Sequence, residues 1–283
     1  MKKEHNVPEH SNEEKLKDHY HGKHHFDSKG QHDDIEDKDF AFINTLLITG
    51  KRNMIYKLVL AGFFMALAFI CTILDGYIGE KFLSIPTPAG MISVRYLDVT
   101  IIILSIGSLG PVISSLVAFV VPYVHFAVHS EHSIYSIVLD SFGYVLLIWL
   151  MWTFYYVISR NSYYHKDPVK KKDLFKRWMP IIPFVLISSA IFAFIVVLSL
   201  YLSEITGAEG HDHEGHDHEG HDHEGHDHEG HDHENEVNWD SFKQKYFITF
   251  IVFFFIEVLR FTIVYVLYAA IEPKLKLLNH KYR

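Results

Sequence analysis

Cysteine is almost absent from this chain of 283 residues: the one present is Cys71. It lies inside an apolar run, so intramolecular disulfides and cysteine-based zinc sites are excluded. Charge is missing altogether from residues 58–74, 99–124 and 178–203. Such runs suit a bilayer, because about 20 residues at 1.5 Å rise cross its hydrocarbon. They argue against a soluble enzyme domain. Apolar sequence is missing in turn from the amino terminus, where the first 40 residues hold eighteen charges and seven histidines. No basic start followed by an early apolar stretch marks a cleaved secretory peptide. The first apolar helix is therefore expected to act as its own insertion signal, behind a disordered tail. The averages, 49% hydrophobic and 21% charged with a formal charge of −8, mix a greasy body with very polar appendages.

Five apolar blocks stand out, at 55–78, 99–128, 134–158, 179–203 and 246–271. The second is long for one span and short for two. In its middle lies Gly107-Ser108-Leu109-Gly110-Pro111, which breaks a helix through backbone freedom and a missing donor. Charge decides between five spans and six. With six spans and the amino terminus inside, the cytoplasmic flanks hold fourteen Lys and Arg. Seven of these lie in the 160–177 loop; outside are Lys81, Arg95, Lys243 and Lys245. Five spans would put that loop and the basic carboxyl tail outside, against the positive-inside rule.

The expected fold is thus an all-α integral membrane protein of the plasma membrane. It has six transmembrane helices, both termini cytoplasmic, and a disordered His-rich tail and loop. Residues 1–52 form the tail, 53–203 helices one to five, 204–244 an acidic His-rich extracellular loop, and 245–283 helix six with a basic tail. Trp149, Trp152, Tyr155, Tyr156 and Trp178 are expected at the headgroup level, which amphipathic rings favour. The lysine-rich loop is expected to mark topology, or to hug anionic lipid or a cytosolic partner.

Two histidine patterns carry chemistry. Residues 211–234 repeat His-Asp-His-Glu-Gly, placing ten imidazoles and ten carboxylates in 24 residues. The histidines are His211, His213, His216, His218, His221, His223, His226, His228, His231 and His233. Neutral imidazole is the commonest ligand for zinc, copper and nickel, and carboxylates complete such sites. With Gly at every fifth position no fixed geometry is specified, so loose binding of several ions is expected. A solvated linker is the plainer alternative. The second pattern is His125, His129 and His132, spaced so that a continuing helix would stack them on one face. Glu131 and Asp140 are near in sequence, and Asp75, Glu80 or Asp98 are candidate carboxylate partners; interfacial histidines snorkelling to water are the alternative.

Within the apolar blocks, Asp140, Glu257 and Arg260 stand out, since ionisable groups in a membrane are costly and face a cavity or a partner. Glu257 and Arg260 are three apart and can pair on one helix face. Asp140 has no such mate on its own helix, which makes it the better functional candidate.

Residues 92–126 read Ile-Ser-Val-Arg-Tyr-Leu-Asp98-Val99-Thr100, an apolar helix, Gly107-Ser108-Leu109-Gly110-Pro111, and a second apolar helix ending near His125. This stretch resembles the substrate-binding S components of energy-coupling factor (ECF) importers, notably the riboflavin-type group. Members have six helices, both termini inside, and a small-xxx-small pattern on helix one that docks on the membrane-embedded T component. Gly62 and Ala66 match that pattern, with Ala68 nearby; small residues let helices approach closely in lipid. The resemblance covers about 55–160, and the last two spans by layout alone. Two departures matter: Thr100 stands where the family has proline, and typical vitamin S components lack a His-rich loop.

The resemblance implies capture at the external face, under loops 79–98, 129–135 and 204–244, followed by delivery with a T component and two cytosolic ATPases. The chain itself lacks a Gly-x-x-x-x-Gly-Lys-Ser/Thr motif and a nucleophile–base set. It is therefore expected not to be an enzyme, to hold no intrinsic cofactor and to rely on its partners for ATP. Nucleic acid is not an expected partner. The histidines near those loops favour a divalent metal cargo (zinc, cobalt or nickel). The expected binding set is Asp98, His125, His129, His132, Asp140 and Glu257, with His129, His132 and the ten-histidine array as metal ligands. A vitamin cargo, supported by the 15% aromatic content, stays open. A stand-alone cation-diffusion carrier would need paired ligands in two spans and a soluble carboxyl domain, and fits less well.

Overall fold

Without water in the bilayer each backbone polar group must find its partner within the chain, so apolar runs become helices. A computed structural model follows this rule. It describes residue 46 and residues 51–79, 84–87, 90–93, 97–128, 134–164, 166–167, 169–206 and 239–281. Helix α1 spans Lys51–Leu74 and runs into a π-helical turn, Asp75–Gly79. A short antiparallel hairpin follows, β1 (Ser84–Thr87) and β2 (Gly90–Ser93), with Ser84 opposite Ser93 and Ile85 opposite Ile92. Then come α2 (Leu97–Val128), α3 (Ile134–Trp152) with a π-helical extension Thr153–Ile158, α4 (Lys170–Trp178), α5 (Ile181–Thr206) and α6 (Trp239–Lys281).

Where six spanning helices are expected, five helices among the described residues are long and apolar enough to cross a membrane: Met54–Tyr77, Leu97–Ala127, Ile134–Ile158, Lys170–Ile205 and Lys243–Lys276. The second holds both of the expected short ones. It is interrupted at Gly110, whose φ of 77° and ψ of 173° are open to a residue without Cβ; Pro111 follows, with no N–H to give. The Oγ atoms of Ser105 and Ser114 are 2.8 Å apart. Nine residues of straight helix would separate them by about 13.5 Å along the axis, so α2 folds into a V with Gly110 at its apex.

Burial inverts the soluble pattern. Leu58, Val59, Phe63, Phe142, Phe194, Phe255 and Leu259 are exposed, whereas Ser105, Ser108, Ser114, Ser141, Ser188 and Ser189 are buried. An outer surface greasier than the interior is stable in lipid, where helices associate through small residues and hydrogen bonds. Trp152, Tyr155 and Tyr156 correct the expectation of headgroup aromatics: they are buried in the core. Tyr156 Oη lies 2.6 Å from Tyr268 Oη, and its ring stacks on Tyr163 at 3.9 Å between centroids. A buried phenol needs a polar partner, and Tyr156 and Tyr268 supply one to each other.

One end of the bundle is tied by an amide. Asn279, near the end of α6, donates to the Gly107 carbonyl (2.6 Å), close to the α2 apex, and to the Tyr163 carbonyl (3.1 Å). Nearby, Asn161 donates to the carbonyls of Tyr155 and Lys176, and Tyr265 Oη to that of Arg177. The 160–177 segment, expected as a loop, therefore contains a helix held against the bundle by side-chain hydrogen bonds that hydropathy does not register. At the other end Glu204 of α5 accepts from Lys245 (3.0 Å) and from the Tyr246 hydroxyl of α6.

Candidate functional site

The candidate site is a buried path of polar and aromatic groups running from the start of α2 to the middle of α6. Asp75 begins it. Its Oδ2 accepts from the backbone N–H groups of Leu97 (2.9 Å) and Asp98 (3.2 Å), and Asp98 Oδ1 accepts from Val99 N–H (2.6 Å). Two buried carboxylates thus satisfy the orphan donors of the α2 amino terminus, where the helix dipole also favours negative charge. Both are within reach of Cys71 through their charge.

Tyr144 of α3 donates from its hydroxyl to Asp98 Oδ2 at 3.4 Å, and its ring stacks on Phe192 of α5, 5.7 Å between centroids. Phe192 in turn meets the guanidinium of Arg260, 5.1 Å from the ring centre, and Phe261 lies 4.8 Å from the same group. Two aromatic faces against one guanidinium compensate part of the cost of burying it. Arg260 also pairs with Glu257 one helical turn earlier, Nη2 to Oε2 2.7 Å, with both side chains almost wholly buried. Asp140 of α3 lies close enough for its charge to act on Glu257.

Of the expected binding residues, Asp98, Asp140 and Glu257 belong to this path, and the expected Glu257–Arg260 pair forms. Asp140 of α3 is within electrostatic reach of that pair's carboxylate. Asp75 and Asp98 serve the α2 amino terminus. His125 is 2% exposed, so it is a buried residue and not one reaching for water. His129, His132, Glu80, Glu131 and all ten histidines of 211–233 lie outside the described residues. Among the described residues no group of three or more His, Cys, Asp or Glu is placed to hold a metal ion.

Gly62 and Ala66 are exposed on the outer face of α1; a Cβ at Gly62 would meet nothing within 4 Å. Ala68, on another face of the helix, is fully buried.

Sequence reasoning missed a second buried cluster. Glu272 and Lys276 of α6 pair at 3.2 Å and are 1% and 3% exposed. Around them lie Tyr155, Tyr156, Tyr163, Tyr265 and Tyr268, each within reach of the Glu272 charge. The i, i+4 spacing of Glu272 and Lys276 was a legible signal, but so near the carboxyl tail both read as surface charges. Beside this cluster, at the bundle margin, Asp167 is partly buried, which works against its ionisation. The Lys176 ammonium (2.8 Å), the Val169 N–H and Lys172 outweigh that and hold its carboxyl below the usual range.

No protein-family model, no curated protein and no solved structure matches the chain.

Proposed function

We propose that this membrane protein is the substrate-capturing S component of an ECF-type importer in the plasma membrane. It takes up a divalent cation, zinc or else cobalt or nickel, and delivers it with a T component and two cytosolic ATPases. The observation that carries this reading is the outer face of α1. Gly62 and Ala66 stand one turn apart on an uncovered helix surface, and small residues so placed let a second helix approach closely in lipid.

The limbs of the α2 V serve as spans two and three, which makes six crossings with both termini inside. The Asn279 link supports this layout, since it gathers the V apex, the loop after α3 and the end of α6 at one end of the bundle. Loops 79–98, 129–135 and 204–244 then leave from the opposite, external end, the last with its imidazole array collecting metal. A vitamin cargo is the second reading, favoured by Tyr144, Phe192 and Phe261 along the buried path.

Uptake of labelled zinc, cobalt and nickel in cells carrying the partner subunits tests the proposal. Replacing His129 and His132 by Ala abolishes uptake, deleting 210–234 raises the half-saturation concentration, and Gly62→Leu stops uptake while the purified protein stays folded. Uptake unchanged by all three sinks the metal reading. Quenching of riboflavin fluorescence by the purified protein moves the assignment to a vitamin.

A further inference from the structure

A strip of side chains runs from α4 onto α5. Backbone hydrogen bonds carry through their junction, Met179 N–H to the Phe175 carbonyl (2.9 Å) and Phe184 N–H to the Pro180 carbonyl (3.1 Å). The two helices therefore continue with little change of direction. Phe175, Met179, Ile182 and Leu186 follow at spacings of four, three and four, which is one helix face. They are 67%, 48%, 68% and 48% exposed. One turn before Phe175 the same face ends in Lys171 and Lys172, both exposed.

The opposite face of α4 fixes this orientation. Asp173 and Arg177 are buried and ion-paired, and the Arg177 carbonyl accepts from Tyr265 Oη at 2.7 Å. Charge turned inward and phenylalanine turned outward is the reverse of a helix in water. The cations are available as well. Lys171 makes no ion pair among the described residues. Lys172 lies 3.6 Å from Asp167 Oδ2, an oxygen that already takes Lys176 at 2.8 Å.

We infer that this strip is a binding site for one anionic phospholipid, its phosphate on Lys171 and Lys172 and an acyl chain along Phe175, Met179, Ile182 and Leu186. Length supports the assignment: fifteen residues from Lys171 to Leu186 rise about 22 Å. One leaflet, half of the hydrocarbon plus a headgroup layer, is about 20–22 Å. A soluble anion would use the lysines and leave the four apolar side chains without a role. A lipid uses both, with lysine stems lying on the apolar surface and ammonium groups at the phosphates.

The test uses the full chain, Cys71→Ala with Phe175→Cys carrying a fluorophore, in nanodiscs of phosphatidylcholine with a minor share of phosphatidylglycerol. Lipid brominated near the headgroup quenches the label and aqueous iodide does not. Brominated phosphatidylglycerol quenches more than brominated phosphatidylcholine at equal share. That preference falls about fivefold with Lys171→Gln and again with Lys172→Gln at low salt, and added inorganic phosphate does not compete. Quenching by iodide overturns the proposal, as does equal quenching by the two lipids or displacement by free phosphate. A label shielded from lipid and iodide alike assigns the strip to a protein partner and also overturns it.

Discussion

The two ends of the bundle are held by different means. At the end that carries the α2 apex, one amide links α6 to α2 and to the loop after α3, five tyrosines surround the Glu272–Lys276 pair, and Asn161 and Tyr265 secure α4. At the other end the ties join neighbours in sequence: Asp75, in the turn after α1, to the start of α2, and Glu204 of α5 to Lys245 and Tyr246 of α6. The first end is a clamp on elements far apart in the chain; the second fixes one helix pair at a time. Under the proposed function that inequality suits opening on one side, because a cross-linked end resists separation and a pairwise end yields locally.

The sharpest way to break the comparison is Glu272→Ala, which removes the carboxylate balancing the buried Lys276 ammonium. Taking one partner from a buried ion pair costs about 3–5 kcal/mol, so a fall of that size is expected in denaturant unfolding of the purified protein. Glu204→Ala, at the half-exposed opposite pair, is expected to cost under about 1 kcal/mol. Next comes Asn279→Ala. It leaves the Gly107 and Tyr163 carbonyls without their amide donor and costs about 2–3 kcal/mol, with faster amide exchange around Gly107 and Tyr163 by mass spectrometry. If Asn279→Ala and Glu204→Ala prove equal, the clamp is no clamp.

Asp75→Ala sits in the middle of the scale. It strips the acceptor from two donors at the α2 amino terminus and is expected to cost about 1–2 kcal/mol, with Asp75→Asn losing less because one oxygen remains. The smallest effect belongs to Asp167. Its folded pKa is depressed, so its stabilisation is present above the unfolded carboxylate pKa, near 3.9, and is lost as pH falls through the lower folded value. Asp167→Asn should flatten that part of the acid limb by less than about 1 kcal/mol, since its ion pairs lie at the bundle margin.

Much of this was legible in residue order. Runs without charge gave the apolar helices, Gly107 to Pro111 announced the break in α2, and the spacing of Glu257 and Arg260 announced their pair. The break narrowed to Gly110 because one residue with positive φ turns the chain. The tyrosines were misplaced for a definable reason. Hydropathy treats a phenol beside an apolar run as interfacial, and nothing in a single strand of text tells Tyr156 that Tyr268 will meet it 112 residues later. The β1–β2 hairpin was missed because Ser84–Thr87 and Gly90–Ser93 are short, contain Pro86, and lack strong alternation.

Composition and spacing determined by themselves that this chain belongs in a bilayer, because hydrocarbon accepts long uncharged runs and no other backbone than a self-satisfied one. Which polar groups share the interior was decided by tertiary structure alone. Asp98 with Tyr144, Asp140 near Glu257, and Asn279 with Gly107 are meetings across the bundle. Each depends on helix rotation and depth, which packing sets through small energies summed over many neighbours.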